Sequence, residues 1–168
     1  MDIVAVVGNP NPGGRTTRVA EGVAQKVAAM SGGRVETIEL AHVADELFRW
    51  ESSRVKELTT RVAGADLAVF ASPTYKASMT GLLKAFLDRY GNNGLAGLVA
   101  IPVMVGGSLQ HSLAVETQLR PVLVELAAAL PTKGLYVVDS ELDELAVTLE
   151  LWWQHAGPAL GRMLGVTG

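Results

Sequence analysis

Three short segments hold most of the side chains in this sequence that could bind a ligand or do chemistry, and each follows an apolar run. The first reads Gly8-Asn9-Pro10-Asn11-Pro12-Gly13-Gly14-Arg15-Thr16-Thr17. Asn9 and Asn11 bring amides, Arg15 a guanidinium, and Thr16 and Thr17 hydroxyls at the start of a helical pattern. A helix N-terminus adds unpaired N–H groups and a partial positive charge. That donor set suits a phosphate monoester. Taken alone, a Gly/Pro turn with a threonine cap and no ligand reads equally well. The dinucleotide fingerprint G-x-G-x-x-G is absent, because Gly8, Gly13 and Gly14 are wrongly spaced. A Walker A loop would need glycine and lysine where Asn9 and Arg15 stand, so an ATPase or kinase is not expected.

The second segment, Ser72 to Gly81, contains Pro73, Thr74, Tyr75 and Lys76 in a turn shaped by Pro73 and Gly81. Tyr75 could face a flat heteroaromatic ring or serve packing. The third, Gly106-Gly107-Ser108, offers backbone that a ligand can approach closely. Ser72, Ser78 and Ser108 sit in no G-x-S-x-G elbow, which argues against a hydrolase. Cysteine is absent, which excludes disulfides, thiolate catalysis and cysteine-ligated metal. His42, His111 and His155 are scattered, and no metal site is expected.

These loops need a frame that brings them together. Residues 2–7 form an almost unbroken apolar run, the mark of a strand buried on both faces. A helix is predicted over 16–30, a strand over 35–40 and irregular chain over 41–50. A helix capped by Ser52 or Ser53 then runs to Ala63. A strand over 66–71 stops at Ser72-Pro73, and a helix covers 80–90. A strand over 98–105 is halted by Gly106-Gly107. A long helix over 110–130, a strand over 134–138 and a last helix over 141–164 complete the pattern. The whole predicts an α/β fold, a doubly wound five-stranded parallel sheet in order 2-1-3-4-5 with helices on both faces, as one domain over residues 1–168. Ligands bind such sheets outside the carboxyl ends of the strands. The three loops occupy those ends on strands one, three and four.

The net charge is −3 and no Lys/Arg run appears, so no nucleic-acid partner is expected. No apolar stretch nears the ~20 residues that span a bilayer, and no basic segment precedes Ile3 to suggest a secretory signal. A cytoplasmic protein is the expectation. The acids between Asp139 and Glu144 read as a solvated helix start. The adjacent Trp152 and Trp153, with Leu149 and Leu151, make the last helix apolar enough to suggest self-association, although packing on the sheet is an equal reading.

The combined motifs resemble the NADPH-dependent FMN reductase family, most closely the flavin reductases that serve two-component monooxygenases such as alkanesulfonate systems. The resemblance is carried by Gly8-Asn9-Pro10 with Arg15-Thr16-Thr17, by Ser72 to Ala77, and by Gly81 to Asp88. Gly106 to His111, Leu113 to Glu116 and Leu119 to Leu123 extend it, so that it covers residues 1–138. It implies a flavodoxin-like fold, FMN as cofactor, NADPH or NADH as hydride donor, and a homodimer or homotetramer. Asn9, Asn11, Arg15, Thr16 and Thr17 would then hold the FMN phosphate. Pro73, Thr74, Tyr75 and Lys76 would border the isoalloxazine and ribityl. Gly106, Gly107 and Ser108 would meet the ring's polar edge. Lys76 and Lys84 could meet a nicotinamide nucleotide's 2′-phosphate, or simply be solvated. A partner monooxygenase would take the reduced flavin. An FMN-bound quinone, azo-dye or metal-ion reductase is the alternative, and a flavodoxin-type carrier a further one. Such carriers usually shield the ring with aromatics, whereas only 5% of this chain is aromatic. Thr117 departs from the aromatic or His common among the relatives in the 115–119 segment, and with it from the pattern behind their helix irregularity.

Overall fold

A strand covered from both sides has no need to alternate polar and apolar residues, and β1 (Asp2–Val7) and β4 (Val99–Gly106) show the consequence. In β1 the residues Ile3, Ala5 and Val7 face one apolar cluster, while Val4 and Val6 face another. The computed structural model describes residues 1–166; Thr167 and Gly168 of the expected domain lie outside the described residues. The other strands are β2 (Arg34–Glu39), β3 (Leu67–Pro73) and β5 (Leu135–Val138). All pairs are parallel and the order is β2-β1-β3-β4-β5, as the sequence predicts.

Helix α1 (Arg15–Ser31) and helix α5 (Leu145–Leu164) cover one face of the sheet. Val19, Val23 and Val27 of α1 are fully buried there, each contributing about 1.5–3 kcal/mol. The other face carries α2 (Ser53–Ala63), α3 (Gly81–Leu87) and α4 (Arg120–Glu125). Ser52 caps α2 by accepting from the Val55 N–H at 3.2 Å. A single 3₁₀ turn, Leu40–Val43, lies in the stretch expected to be irregular. No helix among the described residues is long and apolar enough to cross a membrane.

The helix expected over 80–90 is shorter, Gly81–Leu87, and the last helix starts at Leu145 after a 3₁₀ segment at Asp139–Glu144. Two further differences bear on the site. Strand β3 runs through Pro73 instead of stopping at Ala71. Proline is tolerated because Thr74 supplies the next ladder bond, its N–H reaching Val105 O at 2.7 Å, while β1 on the other side has already ended at Val7. The predicted long helix over 110–130 is broken into a 3₁₀ turn at Leu109–His111, a π-helical segment at Val115–Leu119 and the short α4. Pro121 lacks the N–H that a regular helix would direct at Thr117 O. The helix irregularity is therefore present despite Thr117. Its anchor is Glu116, which pairs with Arg120 and accepts the Gly134 N–H at 2.5 Å. Burial alone would raise the Glu116 carboxyl. The Arg120 and Gly134 hydrogen bonds and the charges of Arg120 and Lys133 outweigh it and hold the group below the usual carboxylate range.

In α5, Trp152 and Trp153 pack partly buried against the sheet cluster, with ring centroids 6.0 Å apart, and Leu149 is buried. Only Val147 and Leu151 of that helix's early turns remain as exposed large apolar side chains.

Candidate functional site

The first loop leaves β1 where the backbone of Gly8 passes against α3. A Cβ on Gly8 would stand 2.5 Å from Leu83 Cβ, so the close approach depends on its absence. Asn9 then shapes the turn. Its Oδ1 accepts the Asn11 N–H at 3.0 Å and its Nδ2 donates to Thr16 Oγ1 at 3.4 Å. Gly13 sits at φ +68°, where a side chain would be strained. Gly14 occupies the N-cap of α1 without a side-chain cap, and no acid lies in the first turn. The N–H groups of that turn are thus left open to an anion.

The second loop is tied to the first through buried hydroxyls. Ser72 Oγ accepts the Thr80 N–H at 2.9 Å, and Thr80 Oγ1 donates to Gly8 O at 2.6 Å while capping α3 at Leu83 N. Between them Tyr75 and Ser78 exchange backbone hydrogen bonds of 2.9 and 3.1 Å. Lys76 and Ala77 take φ values of 51° and 61° at the tip. Two successive left-handed non-glycine residues cost of order 1–3 kcal/mol each. The loop therefore spends stability to present Tyr75, whose side chain is about half exposed.

At the end of β4, a Cβ on Gly106 would meet the Tyr136 hydroxyl at 2.1 Å. Glycine lets the loop lie over Tyr136, which donates to Ser108 O at 2.9 Å. The Ser108 hydroxyl is used locally, accepting the Gln110 N–H at 3.2 Å.

Asn9, Asn11, Arg15 and Thr16 converge with Pro73, Thr74 and Tyr75 and with Gly106 and Gly107 on one cleft of about 140 Å³. Thr17, Lys76 and Ser108 do not line it. Thr17 Oγ1 donates to Glu39 Oε1 at 2.7 Å, and Lys76 is exposed on its turn. Lys84 pairs with Asp88 at 2.5 Å. Two residues that sequence reasoning did not single out join the cleft, Val105 and Asp139. Asp139 opens the 3₁₀ segment Asp139–Glu144, and its Oδ2 also lies 2.9 Å from Arg15 Nη1. Glu39, at the end of β2, also takes the Gly13 N–H at 2.9 Å and so braces the first loop. Roomier clefts, about 510 Å³ beside Trp152 and about 640 Å³ beside Pro158, lie along α5, away from these loops.

The sequence pattern of the NADPH-dependent FMN reductases matches residues 1–143. The chain belongs to this family. An FMN reductase (NADPH) of Escherichia coli strain K12 is 30% identical over 173 aligned positions, covering 92% of this chain and 89% of its own. One from Pseudomonas putida is 38% identical over 94 residues, 56% of this chain and about half (48%) of that protein. Among solved structures, an apo NADH:FMN oxidoreductase superposes with a TM-score of 0.78 at 30% identity, covering 99% of this chain and 90% of the other. Family membership makes the chain an NAD(P)H:FMN oxidoreductase of flavodoxin-like fold.

The residues present fit FMN on two structural observations. Thr74 Oγ1 is buried at the cleft and has no hydrogen-bond partner within the protein. The cradle at Gly106 depends on the missing side chain, since a Cβ there would stand 2.1 Å from the Tyr136 hydroxyl and 3.1 Å from Thr74 Oγ1. Arg15, Thr16 and the open first turn of α1 suit the phosphate. The Thr74 hydroxyl and the backbone of Gly106 and Gly107 suit the polar groups of ribityl and ring.

Proposed function

We propose that this FMN reductase treats flavin as a substrate, reducing it with NADPH or NADH and releasing it to a flavin-dependent monooxygenase in the cytoplasm. The observation that carries the reading is the small size of the site. At about 140 Å³ the cleft falls below the ~300 Å³ at which pockets begin to enclose a ligand. It can seat a phosphate and part of a ribityl chain, and leaves the ring bordered by the half-exposed Tyr75. When bound, FMN supplies the ring that accepts hydride from the nicotinamide. The chain's own residues bind and orient. Arg15 and Thr16 would hold the phosphate end, Thr74 and the Gly106-Gly107 backbone would meet the polar groups of ribityl and ring, and Tyr75 would border the ring. No protein nucleophile or base is required.

Release demands modest affinity. A dissociation constant of ~1 μM corresponds to only about −8 kcal/mol, within reach of one guanidinium with hydroxyl and N–H donors. The experiment is anaerobic turnover with NADPH or NADH under varied free FMN, followed by passage through a filter that retains protein. Reduced FMN is expected in the filtrate. Flavin that stays with the protein while turnover saturates with an added quinone would instead mark a quinone-reductase activity.

Self-association as a homodimer or homotetramer is part of the same reading. Its support is the exposed apolar set Leu109, Leu113, Val147 and Leu151. Light scattering at micromolar concentration is expected to give a multiple of the chain mass, and a monomer mass refutes it.

A further inference from the structure

We propose that Asp139 sets how tightly the site holds phosphate-bearing flavin, by competing with the phosphate for Arg15. The inference rests on the reading of the cleft as an FMN site. Arg15 is the cation lining that cleft among the described residues, and Asp139 lines it too. Their side chains meet at 2.9 Å, so the guanidinium that a phosphate would use already has an anionic partner.

The position of Asp139 is fixed by the sheet. It directly follows Val138, the last residue of β5, which stands in register with Gly106 of β4. The Val138 N–H is held by the Glu141 carboxylate at 2.9 Å. A Cβ on Gly107 would lie 4.0 Å from Asp139 Oδ2, which places the carboxylate at the third loop. Asp139 therefore joins the third loop to the start of α1, across the space a phosphate end would enter.

Glu39 reinforces the effect from the other side. It takes the Gly13 N–H and the Thr17 hydroxyl, two donors that a phosphate could otherwise use. An incoming phosphate must displace or share Arg15 while a carboxylate stands close by. The cage is consequently self-limiting. It recognises phosphate through Arg15 and keeps a competitor on hand that favours departure.

The side chains of Arg15 and Asp139 are 63% and 32% exposed, so water and salt screen the pair and the effect is moderate. Asp139→Asn removes the competing charge at nearly constant shape. Fluorescence titration should show FMN binding tightened roughly two- to fivefold, with riboflavin, which lacks the phosphate, unchanged. The FMN gain should shrink at high salt. Asp139→Ala, which cannot hydrogen-bond to Arg15 at all, should give the same sign. Unchanged or weaker FMN binding, or an equal change for both flavins, overturns the proposal. If the wild-type protein binds riboflavin as well as FMN, the phosphate-site reading itself fails, whatever the Asp139 variants do.

Discussion

Arg15→Ala should weaken FMN binding roughly 10- to 150-fold and leave riboflavin binding unchanged, corresponding to about 1.5–3 kcal/mol for hydrogen bonds to a charged group. Two effects act in the same direction. The phosphate loses the charge-assisted donors of the guanidinium, which are about twice as strong as neutral ones. It also meets an Asp139 carboxylate no longer neutralised by its partner at 2.9 Å. Exposure of the Arg15 side chain moderates the first effect, and the liberated carboxylate adds to it. Thr16 and the open first turn of α1 would sustain residual binding. Parallel titrations of both flavins by fluorescence check the result. An equal loss for riboflavin would mean that Arg15 shapes the loop rather than meeting phosphate.

Much of the frame was legible because its signals are local. The unbroken apolar run of β1, the alternation in β2 and the glycines closing β4 state strand type and ends within a few residues. Once five parallel strands are in place, the doubly wound order gathers Asn9, Arg15, Thr74 and Gly106 at one sheet edge. The 110–130 stretch misleads because its apolar spacing is helical throughout. What breaks it is Pro121 together with the Glu116–Arg120–Gly134 link, and the Gly134 contribution comes from another element. Residues whose role depends on a distant partner were the ones missed. Asp139 sits in an acidic run that suits a helix start, and nothing nearby announces Arg15. Glu39 is the last residue of an alternating strand. Its register opposite Val7 places it beside the first loop, so a carboxylate at that strand end was a usable signal. Thr17 followed the same logic in reverse, its hydroxyl drawn to Glu39 instead of the cleft.

The sparseness of the site agrees with the proposed release of flavin. Thr74 Oγ1 is left unpaired, Lys76 and Ala77 hold left-handed backbone, and Arg15 is shared with an acid. The unpaired hydroxyl and the left-handed backbone cost stability in the unliganded protein, and the shared Arg15 weakens the hold on a phosphate. The compensation comes from beneath, where Ser72, Thr80 and Gly8 form a closed set of hydrogen bonds that fixes the second loop to the first. Rigid support under a sparsely furnished cleft gives orientation without tight retention.

That support makes Gly8→Ala the substitution with the largest expected effect on stability, about 2–4 kcal/mol. The new methyl would stand 2.5 Å from Leu83 Cβ and 3.2 and 3.3 Å from the Leu83 backbone Cα and N. Backbone cannot swing aside as a side-chain tip can, so the N-terminus of α3 must move, an overpacking cost of about 1–3 kcal/mol. The same shift stretches the 2.6 Å bond from Thr80 Oγ1 to Gly8 O, worth about 0.5–1.5 kcal/mol. Gly81→Ala is the matched comparison at the first turn of the same helix. Nothing lies within 4 Å of its added Cβ, and alanine there favours helix by about 0.5–1 kcal/mol. Urea unfolding should therefore show a lowered midpoint for Gly8→Ala and an equal or raised one for Gly81→Ala, with slopes unchanged. FMN affinity should fall with the first, because Gly8 begins the phosphate loop, and hold with the second. A wild-type midpoint in Gly8→Ala would show that α3 yields freely, and that the Ser72–Thr80–Gly8 set is not what fixes the two loops together.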